Sequence, residues 1–256
     1  MYAKCGEQYR RRYIEKQIIP PGMAMLRGTG VHGGIETNMR QKIETYRDLP
    51  VADVIDAAVA KFDDELKAGF QLDQDESSRG KDVVIGDTRD LVATMAGVAG
   101  SDLCPKYQPT VIEQGVRIEI PTSTHDLFGV IDLADDKARI IDVKTSGKSK
   151  TQNDADGSVQ LTVYSAMHQV LTGSPPAELV LETLVATKTP KLQTLVTKRG
   201  NADLVALGAR IEATTYGIAK GVFAPAPAGA WWCGPKWCGY FHSCPFVNPG
   251  RSAQGD

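Results

Sequence analysis

No run of the sequence reaches about 18 consecutive apolar residues, the length a helix needs to cross a bilayer. The opening stretch MYAKCGEQYRRRYIEK carries charges where a secretory leader needs an apolar segment. Together these absences predict a cytoplasmic protein with no membrane partner. Strong net charge is also missing, at a formal −2, which says little against nucleic-acid binding and fits a local phosphate path better than general adhesion to a polyanion. The charge is unevenly spread: residues 1–47 hold nine Lys/Arg against four Asp/Glu, including Arg10-Arg11-Arg12, while 48–103 hold thirteen Asp/Glu against five Lys/Arg. A phosphate-cradling nucleotide loop is absent too. The letters GKS occur at Gly147-Lys148-Ser149, but the glycine required five positions earlier is Asp142. No helicase signature is present, so any unwinding motor would be a separate partner. Gly28-Thr29-Gly30-Val31-His32-Gly33 lacks the preceding strand that a dinucleotide fingerprint needs.

Cysteine is sparse, with five residues at positions 5, 104, 233, 238 and 244. That number does not build a disulfide framework in a cytoplasmic chain. Three of the five fall together as C-x4-C-x5-C within WWCGPKWCGYFHSCPF. Three thiolates cannot close a tetrahedral site, and Cys5 supplies a fourth if the termini meet. Such a site suits an iron-sulfur cluster or zinc, and His242 offers an alternative zinc ligand beside Cys233, Cys238 and Cys244. Cys104 reads as an incidental thiol.

What is present is a composition of 42% hydrophobic and 23% charged residues, enough for a substantial core in a chain of 256. A helix is expected over residues 2–18, stopped by Pro20-Pro21-Gly22. It begins so close to Met1 that a shortened opening segment is expected. A second helix opens at Gly28 and runs to about Tyr46, with His32 and Glu36 on one face. Residues 50–69 have the apolar spacing of an amphipathic helix, a polar loop follows through Ser78, and a further helix spans about Asp87–Gly100. These form an acidic helical insertion at 48–103. From Thr110 the apolar period becomes two, giving a strand to Ile120 before Pro121. Glu113 on that strand can sit near the metal face, but a solvated strand carboxylate is the expected case.

The centre of the chain is GVIDLADDKARIIDVK, Gly129 to Lys144. Runs at about Leu127–Leu133 and Ala138–Val143, joined by Asp135-Asp136-Lys137, read as a β-hairpin. Asp142 and Lys144 are two apart and so emerge from one face, and Asp132 can approach that face across the hairpin. Two carboxylates and a lysine among Ile140, Ile141 and Val143 are costly unless they act. A hard divalent cation would neutralise the carboxylates, and oxygen ligands suit magnesium or manganese. A basic loop over 145–150 leaves this strand. The helix Ser158–Leu171 then sets Gln160 and Tyr164 one turn apart, able to face the site. Strands over 178–187 and 191–198 and a helix over about 202–220 complete the regular part, before a cysteine-rich segment at 225–250.

Taken in order, Cys5, Gly28-Thr29 with His32 and Glu36, Gly129-x-x-Asp132, Asp142-Val143-Lys144, Gln160-x-x-x-Tyr164, and Cys233, Cys238 and Cys244 resemble the PD-(D/E)XK nuclease superfamily. They are most similar to its RecB-like branch, which includes CRISPR-associated and phage exonucleases. The resemblance covers nearly the whole chain. It implies an α/β fold, a restriction-endonuclease-like core in which a central mixed sheet is flanked by helices, with a helical insertion and a cysteine-ligated C-terminal segment. It further implies a metal-dependent DNA exonuclease of recombination, repair or phage DNA processing, in a bacterial cell or phage-infected host. His32, Asp132, Asp142 and the Val143 carbonyl would hold Mg2+ or Mn2+, Lys144 would orient the nucleophilic water, and Gln160 and Tyr164 would support the substrate side. Cys5 with Cys233, Cys238 and Cys244 would hold a 4Fe-4S cluster, with structural Zn2+ as the alternative, although the family's first interval is commonly x2 rather than x4. A structure-specific endonuclease or nickase, or a non-catalytic DNA-end binding or assembly module, would use the same fold. A recombination protein is a further expected partner, and the motifs are silent on oligomeric state.

Overall fold

The computed structural model describes residues 1–120 and 125–247; Pro121, expected to end a strand, and the last three residues of the expected 225–250 segment lie outside them. The elements in chain order are α1 (Gly6–Tyr9), α2 (Met23–Thr45), α3 (Val51–Lys67), α4 (Gln74–Arg79), α5 (Lys81–Val98), β1 (Pro109–Ile118), β2 (Leu127–Asp135), β3 (Arg139–Ser146), α6 (Gln152–Asp156), α7 (Val159–Thr172), β4 (Glu178–Val185), β5 (Lys191–Thr197) and α8 (Asn201–Ala219). The five strands lie in the order β1-β2-β3-β4-β5. Only the β3–β4 pair is parallel, because α6 and α7 carry the chain back between them. The sheet is therefore mixed, as expected.

Each face of the sheet has its own core. On one face α2, α3 and α5 bring Leu26, Val31, Met39, Phe62, Val92 and Met95 against Leu133, Ile141, Val143, Val180 and Leu184. On the other, Leu161, Tyr164 and Met167 of α7 meet Val116, Ile131, Ile140, Leu179 and Leu181. Burying a side chain such as Phe62, which has no exposed surface, contributes about 2–3 kcal/mol. The helix layer is tight because α2 is glycine-rich where it crosses α3. A Cβ on Gly34 would lie 2.5 Å from the Val54 carbonyl oxygen. Residues 48–103 thus supply much of this core.

Several elements differ from the sequence reading. The helix expected over 2–18 is only the single turn of α1 followed by a wider π turn at Arg10–Ile14. Cys5 is extended and caps α1, and Lys16 takes a left-handed φ of 59° beyond it. The second helix begins at Met23 rather than Gly28, since Gly22 immediately follows the prolines and Met23 and Leu26 are buried. The expected loop before Ser78 contains α4, nucleated by a reciprocal capping box between Asp73 and Glu76. α5 starts at Lys81, six residues before the expected Asp87.

Beyond α8 the described chain is irregular apart from one 3-10 turn at Phe241–Ser243. It is held by the N-terminal arm. Gly6 N–H donates to the Ala224 carbonyl (2.7 Å), and Arg11 donates to Ser243 Oγ (2.9 Å) and its carbonyl (2.8 Å). The Arg11 guanidinium also lies 5.8 Å from the centre of the Tyr240 ring and pairs with buried Glu7.

Candidate active site

The alternation of β3 sorts its side chains by face. Ile141 and Val143 enter the α2 core and Ile140 the α7 core, so Asp142 and Lys144 point to the α7 side. β2 breaks its own alternation at Asp132: Ile131 belongs to the α7 core and Leu133, two residues on, to the α2 core. The two strands pair at Leu133–Ile141 and Ala134–Ile140. Asp132 follows this short ladder outward, where it is open to both faces.

α7 closes one side. Gln160 Nε2 donates to the Tyr164 hydroxyl (2.7 Å), which donates to Asp132 Oδ1 (2.8 Å). On β3, Lys144 Nζ donates to Asp142 Oδ1 at 2.5 Å. From the opposite side α2 brings His32, whose ring reaches the Val143 carbonyl and lies in the field of Asp132, Lys144 and Glu36. Thus His32, Asp132, Asp142, Val143, Lys144, Gln160 and Tyr164, singled out from sequence, come together from four elements.

The electrostatics follow from crowding. Burial pushes the Asp142 carboxyl up to about 7, opposed by Lys144 and reinforced by the neighbouring Asp132 carboxylate. Burial lowers His32, so the imidazole is held neutral, the form that can ligate a metal. Burial and Asp132 together raise the Tyr164 phenol, keeping its proton for Asp132.

Among the described residues, no group of three or more His, Cys, Asp or Glu is arranged to hold a metal ion. The candidate ligands satisfy one another instead: Lys144 takes Asp142 Oδ1, Tyr164 takes Asp132 Oδ1, and His32 takes the Val143 carbonyl. One atom is left over. Asp142 Oδ2 is buried with no hydrogen-bond partner, and leaving a buried acceptor unpaired is costly. Glu182, on the opposite face of β4, provides the contrast. It is equally buried, yet it accepts from Tyr107 (2.6 Å), Lys106 (3.1 Å) and Thr194 (2.7 Å). A carboxylate with an orphaned oxygen beside a second carboxylate fits a divalent cation; one with three donors fits none.

Two further neighbours join the site: Glu113, given from sequence only a secondary place near the metal face, and Thr183, not singled out at all. Glu113, expected to be a solvated strand carboxylate, faces Asp132: Ile112 pairs with Leu133 and Gln114 with Ile131, which sets Glu113 opposite Asp132. Its φ is +45°, a left-handed backbone that a non-glycine residue adopts at a cost of about 1–3 kcal/mol and that clusters at functional sites. Glu113 stays open to solvent, yet burial at its carboxyl, with Asp132 and Glu36, pushes its pKa up to about 7 against Arg40 and Lys144. Thr183, opposite Lys144 in the parallel ladder, buries a hydroxyl without a partner. Neither residue carries a local sequence signal, because both depend on strand register.

Four cysteines gather where the termini meet. Burial raises the Cys233 thiol, with Cys5 and Cys244 adding to it; Cys238 is raised by burial and by Cys233, Cys5 and Cys244, against a backbone hydrogen bond from Tyr240. Cys5 Sγ also accepts the Gln8 N–H at 3.4 Å. The four thiols lie close enough to influence one another, but among the described residues they are not arranged to hold a metal ion. His242 instead packs edge-on against Phe241.

A family model for the PD-(D/E)XK nuclease superfamily matches residues 1–245. The chain belongs to that superfamily. Its helix-flanked mixed sheet is the restriction-endonuclease-like fold. A crystal structure of a candidate exonuclease from Eubacterium rectale is similar at 10% identity, with a TM-score of 0.55 over 97% of this chain and 84% of that one. That likeness bears on the fold alone. SSO0001 is 17% identical over 83% of this chain and 96% of its own, at a TM-score of 0.38 that carries no argument. A search of curated proteins finds no match. No described helix is long and apolar enough to cross a membrane.

Proposed function

We propose that this nuclease-family chain is a Mg2+- or Mn2+-dependent DNA exonuclease of the RecB-like branch, acting at DNA ends in recombination, repair or phage DNA processing. The observation that carries the proposal is the orphaned, buried Oδ2 of Asp142 beside Asp132, with Lys144 on the same face. A divalent cation there would neutralise the paired carboxylates and supply Lewis acidity to phosphodiester hydrolysis. His32, Asp132, Asp142 and the Val143 carbonyl would hold it.

The chain's own groups have separable tasks. Tyr164, braced by Gln160, fixes the Asp132 carboxylate in one orientation. Lys144, which donates to Asp142 on the same face, would position water or a phosphate oxygen with its ammonium. Glu113 adds a carboxylate on the β1 side, where its strained backbone aims it toward Asp132. Cys5, Cys233, Cys238 and Cys244 would hold a 4Fe-4S cluster, or zinc in its place, clamping the arm to the C-terminal segment. Unwinding would come from a separate helicase.

Asp142→Asn tests the assignment. It keeps the side-chain volume but removes the charge, so cleavage of linear DNA in manganese should fall at least about a thousandfold, equivalent to about 4 kcal/mol of barrier. Binding of the same DNA should persist. A folded variant that cleaves at the parent rate would refute the role given to Asp142.

A further inference from the structure

Among the described residues, the arginines withdrawn from solvent other than Arg27 have an anionic, carbonyl or aromatic partner, Arg12 lying only against the Tyr13 ring. Arg11 pairs with Glu7 and Arg139 with Asp135, while Arg199 donates to the carbonyls of Ala155 and Ser158. Arg27, on α2, is half-buried and its Nε is wholly enclosed without any hydrogen-bond partner. No carboxylate lies in its field among the described residues, and burial alone lowers its pKa. Leaving that Nε with neither water nor an acceptor is costly.

Its position points to what offsets that cost. Arg27 precedes Gly28, where the missing side chain lets α2 approach β3 so closely that an added Cβ would lie 3.1 Å from Thr145 Oγ1. Thr145 directly follows Lys144, and the strand then leaves through Lys148 and Lys150. His32 lies five residues further along α2, about 7.5 Å in helical rise. Arg27 is therefore rooted beside the end of the strand that carries Asp142 and Lys144, on a stretch that adds positive charge as it leaves.

We infer that Arg27 seats a backbone phosphate of the DNA strand, one neighbouring the phosphate to be cut, so that its guanidinium gains on substrate binding the anion it lacks in the free protein. A guanidinium suits this seat because its planar donors grip two phosphate oxygens at once, which an ammonium cannot do. The inference rests on the nuclease reading above.

The test uses the full chain carrying Lys144→Ala, so that substrate is not consumed, and a fluorescein-labelled single-stranded oligonucleotide followed by anisotropy over a range of salt. Adding Arg27→Met should weaken binding about tenfold at low salt and reduce the slope of log K against log salt by about 0.7, the loss of one phosphate contact on a single strand. Arg27→Lys should restore the slope but only part of the affinity. Without DNA, Arg27→Met should melt at or above the temperature of its parent, since an enclosed, unpaired Nε has been removed. Unchanged affinity and slope in Arg27→Met would overturn the seat while leaving the nuclease reading intact. A lower melting temperature with an unchanged slope would mark Arg27 as a packing residue, with the same consequence. Failure of the Lys144→Ala parent to bind DNA would overturn the seat and the nuclease reading together.

Discussion

Asp142 and Glu182 sit on adjacent parallel strands with no exposed surface, and their different fates define the site. Glu182 is surrounded by donors and Asp142 is left one short. Cys104 gives the same lesson for a thiol. Burial, with Asp48 nearby, pushes it up to about 12 against Lys42 and Asn38. A raised folded pKa means the native state holds the proton more tightly, so the contribution to stability is full below the ordinary value of 9.0 and falls as pH rises toward about 12. Native protein treated with iodoacetamide at pH 9 should leave Cys104 unmodified by mass spectrometry, and denaturant should expose it; rapid labelling in the native state would contradict its burial. The reading of Cys104 as an incidental thiol agrees with this environment. The residues of the site that were legible in sequence are those whose relations are local: two apart on a strand for Asp142 and Lys144, four apart on a helix for Gln160 and Tyr164. Glu113 was legible only as a secondary possibility, since its place depends on β1–β2 register, and Arg27 was not legible, since it depends on what fails to surround it.

Elements were readable where a single period runs unbroken. α3, α7, β4, β5 and α8 fall within a few residues of the expected bounds. The N-terminal arm was misread because its apolar and aromatic residues do not serve one helix face. Tyr2 bonds the Val222 carbonyl, Tyr9 stacks on Phe223 at 6.3 Å, and Arg11 reaches Ser243, so tertiary contacts rather than helical packing fix the arm. α4 was missed because its capping box lies in a stretch without apolar period. The arm and C-terminal segment make the cysteine proposal testable at this scale. Anaerobically prepared protein should carry iron and acid-labile sulfide, and Cys5→Ala should lose most of both together with some thermal stability. A full complement of iron in folded Cys5→Ala would contradict the ligand role of Cys5; zinc without sulfide in the parent would favour the alternative.

At the scale of the whole molecule, the sheet works as a divider. The α2, α3 and α5 layer supplies His32 and Arg27 from one side, and α7 supplies Gln160 and Tyr164 from the other. The parting of β2 from β3 at Asp132 lets both reach one place. The mixed sheet and its flanking helices were legible through the resemblance carried by Gly129-x-x-Asp132, Asp142-Val143-Lys144 and Gln160-x-x-x-Tyr164, which implies such a core. The closure of the chain by its own termini was expected only through the cysteines, whereas the described contacts include Gly6 to Ala224 and Arg11 to Ser243. The central claim is end-dependent, metal-dependent DNA hydrolysis at the Asp132–Asp142–Lys144 site. Its most direct test is to incubate end-labelled linear single-stranded and duplex DNA, beside a closed circular control, with manganese and either the parent chain or Lys144→Ala. The account predicts loss of linear DNA by the parent, an intact circle, and no loss with Lys144→Ala. Equal cutting of circle and linear DNA, or no cutting of any substrate by folded parent protein in manganese, would contradict it.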